Sequence, residues 1–332
     1  MLSLKKNQAV KRLTTMAKKT KADPAGQARN RNKGTRRLST RLTRAEREVK
    51  ALFRAIPRSA RRQTRIVNAE QMTIYDYEFT AQEQESFERA VEFILNEELL
   101  ETQTGVMPFD WYWKEDIEFP YRQGTAEEVR DFNQLIAAAV AAGVLVAGLP
   151  PQQVPIEQVL MSEAYRAALN SAQVSNFTVI KGLSEKTSAQ VLQRVNAGIQ
   201  AGDTPTTIAS DISDRFNIAR SDAKRISETE VNRAYNDAKL SATRMLGEQT
   251  GLRSAVIHIS ALTPTTRQTH ADRHGNAYTV ADQLQWWNTG ANRINCKCTT
   301  RSVLIDRNGK VVQAELQDEL KAERSFFDTG DE

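Results

Sequence analysis

Apolar residues recur at helical spacing along most of this 332-residue chain. In "TAQEQESFERAVEFILNEELLE", Phe87, Val91, Ile94 and Leu95 share one face, which predicts an amphipathic helix. "LTRAEREVKALFRAI" places Leu42, Val49, Leu52 and Ile56 near the same period and predicts a basic helix. An alanine-rich helix is expected over about 125–147, ending at "GLPP", with another through "IEQVLMSEAYRAALNSA". Leu192, Val195 and Ile199 align in a helix that stops at Gly202; Thr204 then caps the next, with Pro205 in its first turn. That run presents Ile208, Ile212 and Phe216, and a long helix follows, with Val231, Tyr235, Ala238, Ala242 and Met245 as its seam and Gly251 as its end.

The period changes at "LRSAVIHIS", where Val256, His258 and Ser260 alternate with Ile257 and Ile259 as in a strand. "TPTTRQTHADRHG" predicts a short helix capped by Thr263, opened by Pro264 and closed by Gly275. "TRSVLIDRNGKVV" predicts two short strands about an Asn308-Gly309 turn. The fold expected is mainly α with a small C-terminal α+β module, a helical N-terminal region and a disordered basic N-terminal arm. Its divisions are a basic arm (1–66, disordered to about 40 and then helical), a helical domain (67–182), a helical lead-in with the long helix (183–251), the Cys/His α+β module (252–313) and a polar C-terminal tail (314–332). The aromatic and acidic stretch "MPFDWYWKEDIEFPY" is expected as a loop pinned onto the core, a partner surface being the competing reading.

Charge is unevenly placed. Residues 1–66 carry 21 Lys and Arg against 3 acids, a local charge of +18, whereas the rest holds 25 bases and 38 acids, or −13. Such polarity speaks of partners and not of fold. The arm is expected to hold DNA without sequence preference through Lys18, Lys19, Lys21, Arg29, Arg31, Lys33, Arg36, Arg37 and Arg41. A solubilising tail and a transit peptide are the competing readings of the same composition. The longest apolar run, Leu135 to Leu149, is too short and too rich in Ala and Gly for a membrane span, and predicts a buried helix.

The chain has three histidines, His258, His270 and His274, and two cysteines, Cys296 and Cys298. All five fall within one segment of about forty residues. His270 and His274, four apart on the expected helix, would share a face. Cys296 and Cys298, two apart on an extended stretch, would point to one side. Two nitrogens and two sulfurs suit a closed, structural zinc, with His258 in reserve should one of the helical histidines point away. The alternative is a pair of small buried thiols beside locally bonded imidazoles. "HADRH" lacks the glutamate of a metalloprotease helix, because Ala271 stands in its place. No phosphate loop, dinucleotide fingerprint or nucleophile elbow is present, so no catalytic residue is assigned.

"TRQTHADRHGNAY…WWNTGANRINCKCTTRSVL" resembles the C-terminal core of the phage Mu F-like minor head, or head morphogenesis, proteins. The resemblance falls on Arg267, His270, His274-Gly275 and Asn295-Cys296-Lys297-Cys298, and extends upstream over Thr229, Glu230, Asn232 and Ala234, covering about 183–305. It implies an internal virion component present in few copies and associated with the portal protein, with scaffold or major capsid protein as further partners; no turnover is expected, because four ligands would close the shell of the ion and Ala271 stands where a base would be needed. Such a protein is made in the host cytoplasm, is incorporated during prohead assembly, and acts near the packaged DNA in packaging or ejection. The competing reading is a metal-dependent nuclease or hydrolase with a DNA-gripping arm, and the shortage of clustered carboxylates near the histidines weighs against it. A regulatory DNA-binding protein would need a sequence-reading motif, which is absent.

Overall fold

A computed structural model describes residues 25–56, 58–67, 70–102, 109–141 and 153–329. The described chain forms two compact units, one of 32–113 with 174–227, the other of the described residues up to 31, 114–173 and 228 onward. Helices dominate both, and the single three-stranded sheet lies near the C-terminus, as the sequence pattern predicts.

The first unit draws on α1 (Ala25–Arg54), a hairpin of β1 (Arg58–Val67) and β2 (Glu70–Tyr77), α2 (Ala81–Leu100), and parts of α5 (Glu163–Ala201) and α6 (Pro205–Thr250). α1 begins well before Leu42, so the expected disorder does not extend to residue 40; residues 1–24 lie outside the described residues. The cause is apolar periodicity continuing upstream in basic disguise. Leu38, Leu42, Ala45, Val49 and Phe53 are all buried on one stripe. α2 starts with a capping box, in which the Thr80 hydroxyl accepts from Glu83 N–H while the Glu83 carboxylate accepts from Thr80 N–H. Its buried face is Phe87, Val91, Leu95 and Leu99, with Ile94 only half-buried.

Thr204 caps α6, its hydroxyl accepting from Thr207 N–H at 3.1 Å. α5 ends at Gly202 with φ +69. Polar pairs link neighbouring helices: Ser184 to Asn96, Lys50 to Ser213, and Arg220 to Glu46. The hairpin was not among the expected elements. Its antiparallel register pairs Arg65 with Met72 and Val67 with Glu70, and Tyr75 N–H donates to Gly202 O.

The second unit contains α3 (Phe119–Ala141), α4 (Ile156–Met161) and the α+β module. The aromatic stretch expected as a loop is helical, a short turn at Asp110–Tyr112 and a π-type turn at Trp113–Glu118 leading into α3. It is pinned to the core as expected, because Tyr112, Trp113, Ile117 and Tyr121 are buried. The alanine-rich helix is described to Ala141, and 142–152 lie outside the described residues. No described helix is long and apolar enough to cross a membrane. Gly124 lets α3 meet α6 closely, since a Cβ there would sit 2.4 Å from Tyr235 O. Beside this approach, Lys239 and Glu128 form an almost wholly buried ion pair at 3.3 Å.

The module holds β3 (Ser254–Ile259), α7 (Gln268–Ala271), β4 (Ala277–Tyr278), α8 (Val280–Trp287), β5 (Thr299–Leu304) and α9 (Ala314–Thr329). β3 is central in the antiparallel order β4-β3-β5, with His258 opposite Thr300 and Ile259 opposite Thr299. Both faces are covered. Ala255, Ile257 and Ile259 pack with Val303, Val311, Leu316 and Leu320. Val256, on the other face, packs with Leu240, Trp287 and the two cysteines. The expected polar tail is therefore the helix α9, whose Leu316 and Leu320 cover the sheet. The second strand expected after Gly309 reduces to one bridge, Ile305 with Val311.

Candidate metal centre

β3 carries His258 into the module, fully buried. Both amide atoms of Gln283, on α8, face its Nδ1, Oε1 at 3.3 Å and Nε2 at 3.1 Å. Nε2 of His258 is buried with no hydrogen-bond partner. Burial pushes this imidazole down to about 3, so it is neutral at physiological pH. Trp286 stands against it with ring centroids 5.3 Å apart and also packs on His270 at 4.8 Å.

His270 lies on α7, one helical turn long. Its Nδ1 is 3.3 Å from Cys298 Sγ and 3.5 Å from Cys296 Sγ. Its Nε2 is 3.2 Å from the Arg267 guanidinium, which also donates to the carbonyls of Ala291 and Ile294. One ligand atom each from His258, His270 and Cys298 all lie within 4.8 Å of one another. The structure thus brings together His258, His270, Cys296 and Cys298, and not the expected set containing His274.

The reason is local. α7 ends at Ala271, so His270 and His274 do not share a helical face. The chain turns through 272–275, and Gly275 closes the turn with φ +76. His274 instead accepts from Ser260 N–H through Nδ1 at 3.0 Å, leaving its proton on Nε2, which faces Glu323 of α9 at 3.4 Å. Burial pushes His274 down to about 4, so this contact is not an ion pair at neutral pH.

The cysteine loop is held from α6. Asn232 Nδ2 donates to Cys296 O at 2.7 Å and to Cys298 O at 3.3 Å, and Asn236 Nδ2 donates to Cys298 O at 3.0 Å. Thr229 Oγ1 accepts from Asn295 N–H, and Asn295 takes a left-handed φ of +53, which asparagine tolerates well. Cys298 donating to Cys296 makes Cys296 the readier thiolate and, with burial, keeps the proton on Cys298. A cavity of about 350 Å³ opens beside the loop, lined by Thr263, Thr266, Arg267, His270, Cys296 and Lys297 among others.

Asn236, Gln283 and Trp286 were not singled out from sequence. Only Asn236 left a signal, as a second asparagine one turn after Asn232 and beside the apolar seam. The nucleic-acid candidates sort by exposure. Arg29, Lys33 and Arg36 are exposed on α1. Arg31 is buried, and Arg37 NH1 reaches Trp111 O at 3.5 Å. Arg41 lies 4.0 Å over the Trp111 ring, donates to Glu98 O and pairs with Glu101. Lys18, Lys19 and Lys21 lie outside the described residues.

No curated protein and no solved structure matches this chain. A family model described as Phage Mu protein F like protein matches residues 189–301, from within α5 to Arg301 on β5, a segment that contains every residue of the cysteine–histidine cluster. Over residues 189–301, about a third of the chain, the sequence is thus similar to the Phage Mu protein F like family.

Proposed function

We propose that this chain is a phage minor head protein: a non-enzymatic component inside the capsid near the portal, made in the host cytoplasm and incorporated during prohead assembly. The observation that carries this reading is the family match over 189–301, which takes in the helical lead-in and most of the α+β module. Its partners would be the portal protein and DNA, with scaffold or major capsid protein beside them. The exposed bases of α1 support a DNA contact. Arg29, Lys33, Arg36, Arg44 and Arg47 recur three, four or eight positions apart, so they share one face. Zinc would staple the module, whose sheet is too small to bury much apolar surface alone. Two imidazoles and the Cys298 thiol lie within reach of one ion, Cys296 stands 3.5 Å from His270, and one buried ring nitrogen of the set is left unpaired, which fits such an ion.

Quantitative mass spectrometry of purified particles, beside proheads lacking portal, tests the reading. A few copies per head that depend on portal are expected; absence from particles at every stage would reject it. The cavity bordering His270 and Cys296 favours one competing reading, a metal-dependent hydrolase. Metal-supplemented nuclease and peptidase activity that disappears in a folded Cys296→Ser variant would establish that alternative.

A further inference from the structure

We infer that the module binds one tetrahedral divalent ion of zinc-like character through His258, His270, Cys296 and Cys298, with His274 outside the shell. This assignment rests on the zinc reading above and deepens it by fixing the ligands.

Three geometric observations carry it. With zinc–nitrogen bonds of about 2.05 Å and zinc–sulfur bonds of about 2.3 Å, neighbouring N and S ligands of a tetrahedron lie about 3.6 Å apart. His270 Nδ1 stands 3.5 Å from Cys296 Sγ and 3.3 Å from Cys298 Sγ, close to that edge. The second observation is His258. It is within 4.8 Å of His270 and Cys298, while Cys296 joins the group through His270, and it turns a buried, unpartnered Nε2 away from the Gln283 contact at Nδ1. When Nδ1–H donates to Gln283 Oε1, Nε2 is the lone pair a metal needs, the outer partner fixing the tautomer of its ligand.

The third is His274, where the roles are reversed. Nδ1 already accepts from Ser260 N–H, so the proton sits on Nε2; that nitrogen is also buried without a hydrogen-bond partner, but protonated it has no lone pair to offer a metal. Arg267 marks what binding must change. A metal at His270 Nδ1 puts a proton on Nε2, which then meets the Arg267 guanidinium donor to donor at 3.2 Å. Arg267 would keep its bonds to Ala291 O and Ile294 O and release the ring. Each coordinating cysteine gives up its thiol proton to solvent as the ion enters.

The test compares His258→Asn with His274→Asn in the full chain, purified without chelator and checked for folding by circular dichroism. Asparagine can imitate Nδ1 of histidine, so the first variant keeps a partner for Gln283 and the second an acceptor for Ser260. Metal content and cobalt(II) titration are the readouts. Wild type and His274→Asn should each hold about one equivalent and show thiolate-to-cobalt charge transfer. His258→Asn should bind cobalt more than about 100-fold more weakly. If His258→Asn does not fold, X-ray absorption of zinc-loaded His274→Asn decides alone. That variant has only His258 and His270 left, so a two-sulfur, two-nitrogen shell must use both. Loss of metal from folded His274→Asn, with retention in His258→Asn, would overturn the assignment. A wild-type chain that binds neither zinc nor cobalt would instead remove the zinc reading itself.

Discussion

The side-chain amide of Asn232 donates to the carbonyl oxygen of Cys296 at 2.7 Å, across 64 residues of sequence. Both residues are buried, so the bond has no ready substitute from water. Asn232→Ala should cost about 1–3 kcal/mol in urea unfolding. Asn236→Ala should cost a similar amount, because Cys298 O and Thr299 Oγ1 both lose a partner. The two amides share Cys298 O, so the double variant should depart from additivity by at least about 0.5 kcal/mol.

Two glycines separate backbone strain from steric fit. Gly275 (φ +76) and Gly290 (φ +55) both occupy the left-handed region. A Cβ at Gly275 would also lie 2.8 Å from Lys321 N in α9, while one at Gly290 would meet nothing within 4 Å. Gly290→Ala should cost about 1 kcal/mol, and Gly275→Ala a further 1–3 kcal/mol, roughly. Equal losses in thermal unfolding would mean that α9 yields freely to the added methyl.

The Lys239–Glu128 pair is almost wholly buried on both sides. Thr243 Oγ1 donates to the same carboxylate at 3.0 Å. Lys239→Met alone should cost about 3–5 kcal/mol, because it strands a buried charge. Adding Glu128→Leu should recover most of that loss, and a double variant no more stable than the single would refute this account.

His274 should make the fold acid-sensitive. Its folded value is pushed down from 6.5 to about 4 by burial, so between those pH values the unfolded chain binds the extra proton. Its contribution is complete above about pH 6.5 and is lost as pH falls toward 4, at up to about 1.4 kcal/mol per pH unit. Glu230, raised by burial, works in the opposite direction. The difference between wild-type and His274→Asn denaturation curves isolates the histidine, and parallel curves from pH 7 to 4 would contradict the assignment.

On DNA, the exposed bases of α1 should matter and the engaged one should not. Replacing Lys33, Arg36, Arg44 and Arg47 with Gln should lower the slope of log affinity against log salt by about 0.9 for each phosphate no longer neutralised. Arg41→Gln should leave the slope unchanged, since that side chain is committed to Glu98, Glu101 and Trp111. Truncation to test the arm should stop at residue 24, because a cut at 40 would remove Leu38 from the core.

The helices were legible wherever apolar spacing was strong, as in Phe87, Val91 and Leu95, and where a cap such as Thr204 marked a start. α9 was not legible, because two leucines four apart in a charged segment look like a solvated tail until a sheet is there for them to cover. The hairpin at 58–77 escaped because its arginine-rich first strand shows no apolar alternation. At the candidate metal centre the donor types and their confinement were readable, while His274 was the first choice beside His270 and His258 only the reserve. Spacing of four implies a shared face only if the helix lasts, and α7 stops after Ala271. His258, the reserve in that reading, comes from strand β3 to within 4.8 Å of His270 and Cys298, a placement that no local pattern near "HADRH" could fix.

Because Val256 faces the cysteine side of the sheet and Ala255, Ile257 and Ile259 face α9, β3 admits a single alignment. Sliding it by one residue against β5 would drive an imidazole into hydrocarbon and turn isoleucines toward sulfur. Errors in strand pairing are thus penalised on both sides of the sheet at once. The placement of His258 is proofread by aliphatic side chains on the opposite face of the sheet.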